Sequence, residues 1–146
     1  MTGIKITVPG RPVAKARPRF YRRGKGVGVY SDQTTEEGRW IVLANSQIDG
    51  RVTDVAVHLD MVFVLPRPKG HYGTGRNAGK LKASAPSHPK GRPDIDNYIK
   101  FVMDCINGMG KVWKDDSQVV SINALKRYGE TPKTIISIYE AENETA

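Results

Sequence analysis

Val55-Ala56-Val57-His58-Leu59-Asp60-Met61-Val62-Phe63-Val64-Leu65 sets an apolar side chain at six consecutive odd positions, with His58 and Asp60 between them. Successive side chains of a strand point to opposite faces, so this alternation predicts one long strand with a single buried face. Upstream, Ile4, Ile6 and Val8 repeat the pattern over a shorter length and run into Pro9-Gly10, a strand closed by a turn. Between the two, Arg11 to Tyr30 carries Lys15, Arg17, Arg19, Arg22, Arg23 and Lys25, no acid, and Phe20, Tyr21 and Tyr30 among Gly24, Gly26 and Gly28. That composition suits a basic, turn-rich hairpin. Thr34-Thr35-Glu36-Glu37 has the character of a helix start, and Trp40, Ile41, Leu43, Ala44 and Ile48 follow until Asp49-Gly50 stops them.

Downstream of the long strand, Pro66 to Pro93 is rich in Gly, Pro and Ser, contains no acid, and carries Arg67, Lys69, Arg76, Lys80, Lys82, Lys90 and Arg92. A loop of this length is functional, disordered, or both. Tyr98, Ile99, Phe101, Val102, Met103, Cys105 and Ile106 then predict a second helix, stopped around Asn107-Gly108 and Gly110, with Cys105 in the core. Val119, Val120, Ile122 and Leu125, a Gly129-Glu130-Thr131-Pro132 turn, and Thr134 to Tyr139 read as a final antiparallel hairpin. The expected class is α+β: one small domain over residues 1–140, a mostly antiparallel or mixed sheet packed with two main helices. An acidic, frayed tail, 141–146, follows.

The chain has 146 residues, 23 Lys and Arg against 15 Asp and Glu, and a net charge of +8. With 38% hydrophobic and 26% charged residues it is neither disordered nor fibrous in composition, and the basic surplus favours a polyanionic partner. The one cysteine cannot form an intramolecular disulfide, and with three histidines it cannot complete a zinc site of the usual spacing. A reducing cytoplasm fits best. No apolar stretch suits a signal peptide or reaches the roughly 18 residues of a membrane span, so a soluble protein without a membrane partner is expected.

The informative acids are Asp94, Asp96, Asp115 and Asp116, which flank the second helix. Carboxylates at a helix start bordered by Lys and Arg suit a hard divalent cation, since Mg²⁺ takes oxygen ligands and needs few protein groups. A helix from about Asn97 to Asn107 is about 16 Å long. The extended run from Gly110 to Asp116 spans about 20 Å, so the chain can return Asp116 to the helix start. Lys100, one turn after Asp96 on the same face, can approach a phosphate. The plain alternative is that Asp94 and Asp96 are caps and Asp115-Asp116 a turn. Two acid pairs separated by a helix, in a chain whose two long irregular stretches are basic and acid-free, have the charge layout of a metal-dependent nuclease.

The chain resembles the RusA-type Holliday-junction resolvases, small dimeric endonucleases often carried by prophages. The likeness rests on Asp94-x-Asp96-Asn97-x-x-Lys100, a helix, and Val112-Trp113-Lys114-Asp115-Asp116-Ser117-Gln118-Val119. The opening Val8-Pro9-Gly10-x-Pro12-x-x-Lys15-x-Arg17-Pro18-Arg19 is also similar to that family's, so the resemblance runs from Ile4 to about Tyr139. It implies that Asp94, Asp96 and Asp116 hold a catalytic Mg²⁺ (or Mn²⁺), with Asp115 a further candidate, and that Lys100 serves the scissile phosphate. It also implies that Lys15, Arg17 and Arg19 contact DNA. Arg22, Arg23, Lys80, Lys82, Lys90 and Arg92 join them as candidates from the two basic stretches. No small-molecule cofactor is implied.

Such a site would hydrolyse a phosphodiester by in-line attack of an activated water, leaving a 5′-phosphate and a 3′-hydroxyl. A four-way junction has near two-fold symmetry, and paired cuts call for an isologous homodimer, as the resemblance also implies. A prokaryotic or phage-encoded, cytoplasmic enzyme of recombination and repair is the expectation. The competing expectations are a non-catalytic basic nucleic-acid-binding module and a nuclease of flaps or RNA. Trp40 and Trp113 read as packing groups rather than base platforms, and His58, His71 and His88 receive no role.

Overall fold

The computed structural model describes residues 3–16, 19–24, 26–30, 34–50 and 52–141; for 19–23 and 26–30 the description is of the backbone. Three expectations fall outside this description: the role of Arg17, the side-chain roles of Arg19, Arg22 and Arg23, and the tail beyond Ala141.

The 55–65 alternation forms β4, Val57–Leu65, which occupies an interior position of a four-stranded sheet. β1 (Gly3–Pro9), β5 (Val119–Tyr128) and β6 (Lys133–Glu140) complete that sheet in the order β1-β6-β4-β5. β6 is antiparallel to both β1 and β4, whereas β5 runs parallel to β4. Parallel neighbours need a long crossover, and the chain between Leu65 and Val119 supplies it with α2, Ile95–Met109. β2 (Arg19–Arg23) and β3 (Gly26–Tyr30) form a separate antiparallel hairpin, as the basic Gly-rich stretch implies.

One face of the sheet, with Ile6, Val8, Leu59, Met61, Phe63, Ile136 and Ile138, is buried together with Trp40 and Ala44 of α1 (Thr34–Asn45) and one stripe of α2. That stripe is Tyr98, Phe101, Val102, Cys105 and Ile106, the i, i+3, i+4, i+7, i+8 spacing that puts side chains on one side of a helix. Each large apolar group so buried contributes about 1.5–3 kcal/mol. Phe63 and Tyr98 stack with ring centroids 5.1 Å apart, locking helix to sheet. Trp113 is buried as well, so both tryptophans are packing groups. Gly110 ends α2 at φ 62°, a left-handed conformation that glycine adopts without steric cost.

The structure departs from the sequence reading in three places. β4 begins at Val57, because the carbonyls of Thr53 and Val55 accept from the Gln118 amide at 3.0 and 2.9 Å instead of joining a ladder. α1 ends at Asn45, short of Ile48; beyond it the Gln47 side chain bonds the backbone N–H and C=O of Thr7, both at 2.8 Å. The final hairpin does not form: β5 and β6 lie on opposite sides of β4. The turn between them crosses the end of β4, where Gly129 N–H donates to the Leu65 carbonyl at 3.0 Å. A Cβ at Gly129 would lie 2.5 Å from Val64 Cγ1, so only glycine permits that crossing without a shift.

Pro66 to Pro93 has defined local structure. It holds single 3₁₀ turns at Lys69–His71 and Gly75–Asn77 and bridges joining Tyr72 to Leu81 and Gly73 to Ala78. Arg67 anchors it: its guanidinium sits 4.4 Å from the Tyr128 ring centroid and donates to the Pro86 carbonyl at 2.7 Å. No helix among the described residues is long and apolar enough to cross a membrane.

Candidate active site

Asp94 occupies the N-cap position of α2 in an extended conformation, yet its carboxylate accepts no capping hydrogen bond. An N-cap aspartate ordinarily accepts from the N–H groups of the first turn, so its oxygens remain available for another partner. The Asn97 N–H bonds the Asp94 carbonyl at 3.1 Å, and the Arg92–Pro93 peptide just before it is cis. The approach to Asp94 is held from the sheet. Lys126 Nζ of β5 donates to the carbonyls of Gly91 and Pro93 at 2.9 and 3.2 Å.

Asp96 follows in the first turn, and Lys100 Nζ stands 3.8 Å from its Oδ2. Both side chains are 64% exposed. An exposed i,i+4 pair at that separation is worth about 0.3–0.5 kcal/mol, too little to keep the ammonium from a better anion. The head of α2 thus presents two carboxylates and a cation, where the helix dipole also favours negative charge.

Asp116 lies elsewhere. It opens a short 3₁₀ turn, and its Oδ2 accepts from Asn107 Nδ2 at 3.0 Å. Asn107 is 11 residues beyond Asp96 on the same helix, about 16 Å along its axis. The expectation that the chain returns Asp116 to the helix start is therefore not met within one chain: the segment after Gly110 turns toward the end of α2. Trp113 fixes this, donating from Nε1 to Asn107 Oδ1 at 2.6 Å while its ring is buried. Asp115 is an ordinary cap. It accepts from Ser117 N–H at 3.1 Å, and the Gln118 side chain answers by accepting from Asp115 N–H at 3.0 Å, a capping box. The Ser117 hydroxyl first, and its N–H second, hold the Asp115 carboxyl below its ordinary pKa. Among the described residues, no three His, Cys, Asp or Glu side chains converge as a metal cluster.

Lys15 is engaged by acids rather than free. Its ammonium lies 2.9 Å from Asp104 of α2 and 3.2 Å from Glu37 of α1. The Asp104 hydrogen bond holds the Lys15 pKa above the ordinary lysine value; partial burial opposes the rise and Glu37 adds to it. Lys15 also lines a cleft of about 520 Å³ that contains Arg92, Asp94 and Asn97. Lys80, Lys82 and Lys90 are exposed on the 66–93 loop, as is Arg92 at its end. Lys80 and Lys82 border a second hollow of about 490 Å³ that has no carboxylate in its lining. Arg19, Arg22 and Arg23 lie on β2, next to β3.

Several supporting groups went unread in the sequence. The Asp115-Asp116-Ser117-Gln118 spacing is itself a cap signature and could have flagged Gln118. Nothing local marks Lys126 or Asn107, whose partners lie 33 and 9 residues away.

A family profile described as endodeoxyribonuclease RusA matches residues 9–139. The chain belongs to the RusA endodeoxyribonuclease family. The match takes in β2, β3, β4 and β5, both helices and the basic loop, together with all of Asp94, Asp96, Lys100, Asp115 and Asp116. The chain is also similar to a Bacillus subtilis (strain 168) protein named uncharacterized protein YqaN, at 33% identity over 145 residues, 96% of this chain and 98% of that one. Membership of the RusA family implies an endodeoxyribonuclease of the Holliday-junction-resolving type.

Proposed function

We propose that this RusA-family protein is a divalent-metal-dependent endonuclease that resolves four-way DNA junctions by paired, symmetric nicks, acting as a homodimer in the cytoplasm of a prokaryotic or phage-infected cell. The observation that carries the reading is the head of α2, where Asp94 sits at the cap position without capping and Asp96 pairs only loosely with Lys100.

The donor chemistry there fits Mg²⁺, or Mn²⁺, which is held by one or two carboxylates with water and phosphate filling the remaining positions. Asp94 and Asp96 would hold the ion. When bound, it supplies positive charge at the scissile phosphate and a polarised water as nucleophile. Lys100 adds a mobile ammonium beside the same phosphate, stabilising charge that builds on its oxygens in the transition state. Arg92, at the mouth of the adjoining cleft, and Lys80, Lys82 and Lys90 on the loop supply cations for the backbone, with Arg17, Arg19, Arg22 and Arg23 as further contacts.

Asp116 enters from the second copy. Because Asn107 ties it to the far end of α2, a two-fold pair that sets the end of one α2 beside the start of the other would bring each Asp116 to the partner's Asp94 and Asp96. This also couples the two cuts to dimer formation. Asp96→Asn is expected to abolish cutting while junction binding is retained or tightened, since a negative charge beside the phosphate is removed. Full cleavage by that variant would end the proposal.

One observation favours a non-catalytic binding module: Asp115 is a structural cap and Asp116 is bonded to Asn107. That alternative predicts binding with no dependence on divalent ions and no product at any Mg²⁺ concentration.

A further inference from the structure

We infer that Lys15 is a positioning residue: its ammonium ties the segment leading into the basic hairpin to both helices, and so sets one wall of the cleft beside Asp94. The inference rests on the nuclease reading of that cleft, and it gives Lys15 a role other than a phosphate contact.

Three contacts converge on this one residue. Its Nζ bonds Asp104 of α2 at 2.9 Å and Glu37 of α1 at 3.2 Å, and its backbone N–H donates to the Asn97 carbonyl in the first turn of α2 at 2.9 Å. The ammonium has three protons, and two are directed at carboxylates of two different helices. The side chains of Lys15 and Glu37 are 29% and 31% exposed, less open to solvent than Asp96 and Lys100. An arm held only by its backbone could swing away from α2. The two side-chain contacts fix its direction as well as its distance.

The consequence lies in the cleft. Ala14, Lys15 and Ala16 line it together with Arg92, Pro93, Asp94 and Asn97. Four residues beyond Lys15 the chain enters β2 of the basic hairpin. DNA entering the cleft would meet the 14–16 segment and Asp94 together, and the placement of the one against the other is set through Lys15. A misplacement of about 1 Å at such a wall can cost on the order of 10²-fold in rate.

The two roles differ in measurable ways. A phosphate contact removed by Lys15→Gln lowers the log-log salt slope of junction binding by about 0.9. A tie leaves that slope unchanged and lowers the single-turnover cutting rate at saturating protein, by about tenfold or more. Lys15→Arg, which keeps the charge and can reach both acids, restores the rate. The Asp104→Asn, Glu37→Gln double variant reproduces the rate loss, and adding Lys15→Gln to it causes no further loss. Thermal unfolding of each variant identifies any that fail to fold, and Lys15→Arg serves as the folded comparison.

An unchanged slope with a shared, non-additive rate loss supports the tie. A slope lowered by about one in Lys15→Gln, or a rate that stays at the wild-type level in the Asp104→Asn, Glu37→Gln double variant, overturns it. If wild type cuts no junction in Mg²⁺, the nuclease reading fails. The tie is then still read by tryptic cleavage after Arg22 and Arg23, which Lys15→Gln should accelerate and Lys15→Arg should not. Equal cleavage rates in the three proteins would reject it.

Discussion

Asn107 donates to Asp116 across 3.0 Å, and this bond holds the acidic turn after α2 at the opposite end of the helix from Asp94. The carboxylates that the sequence suggests as one metal set are thereby divided between two ends of a helix. A site assembled from two chains has a clear genetic signature. Asp96→Asn and Asp116→Asn, each inactive alone, should regain nicking when co-refolded, because one of the two sites in a mixed dimer then contains only wild-type carboxylates. Mixed dimers that remain inactive would place all the working acids within a single chain.

The Trp113–Asn107–Asp116 chain should also contribute to stability. Asn107→Leu removes the acceptor of a tryptophan N–H 2.6 Å away whose ring is 2% exposed. Leaving such a donor unsatisfied costs about 1–3 kcal/mol, so urea unfolding should shift to a lower midpoint with an unchanged m-value. An unchanged midpoint would show that water replaces the amide without penalty.

The long strand and both helices are legible because each is a one-dimensional pattern: β4 in its alternating face, α2 in its apolar stripe and Gly110 stop. Strand order is not such a pattern. β5 and β6 carry the residues of a hairpin, yet they are separated by β4, and Gly129 shows its reason only once Val64 is beneath it. In the same way Asp94, Asp96 and Lys100 are close in sequence and readable together. The place of Asp116 depends on Trp113 and Asn107, and the engagement of Lys15 depends on acids 22 and 89 residues away. Charge spacing says which residues can meet a polyanion; it does not say which have already met an acid.

Cys105 lies in the core, and burial, reinforced by the nearby charges of Glu37 and Asp104, pushes its thiol up to about 12. In the unfolded chain a thiol ionises near about 8.5. The folded state retains a proton that the unfolded state releases, so this group's contribution is undiminished below the unfolded value. It declines as pH rises from there toward the folded value. At pH 8 the native protein should leave a disulfide reagent unreacted and the urea-unfolded protein should consume one equivalent. Fast reaction of the native thiol would contradict the burial.

Binding should weaken steeply with salt. About six phosphate contacts give a log-log slope near −5 on B-form DNA, and replacing Lys80, Lys82 and Lys90 by Ala should make it shallower by about 2.7. A slope that does not change would remove the 66–93 loop from the interface.

Arg67 should govern the order of that loop. Its contact with the half-buried Tyr128 ring is worth about 0.5–2 kcal/mol, and its bond to the Pro86 carbonyl closes the loop. Arg67→Ala should speed amide hydrogen exchange across residues 69–86 and leave β4 and α2 protected. Exchange unaltered in the loop would mean that the bridges at Tyr72 and Gly73 suffice without the anchor.

The most direct test of the proposed activity is cleavage of a fixed four-way junction beside matched linear duplex, with Mg²⁺ and with EDTA, by wild type and Asp96→Asn. Symmetric nicks confined to the junction, to Mg²⁺ and to wild type are the predicted result. Tight junction binding with no nicks under any metal, or cutting that persists in Asp96→Asn, would contradict the assignment of the α2 carboxylates as the catalytic centre.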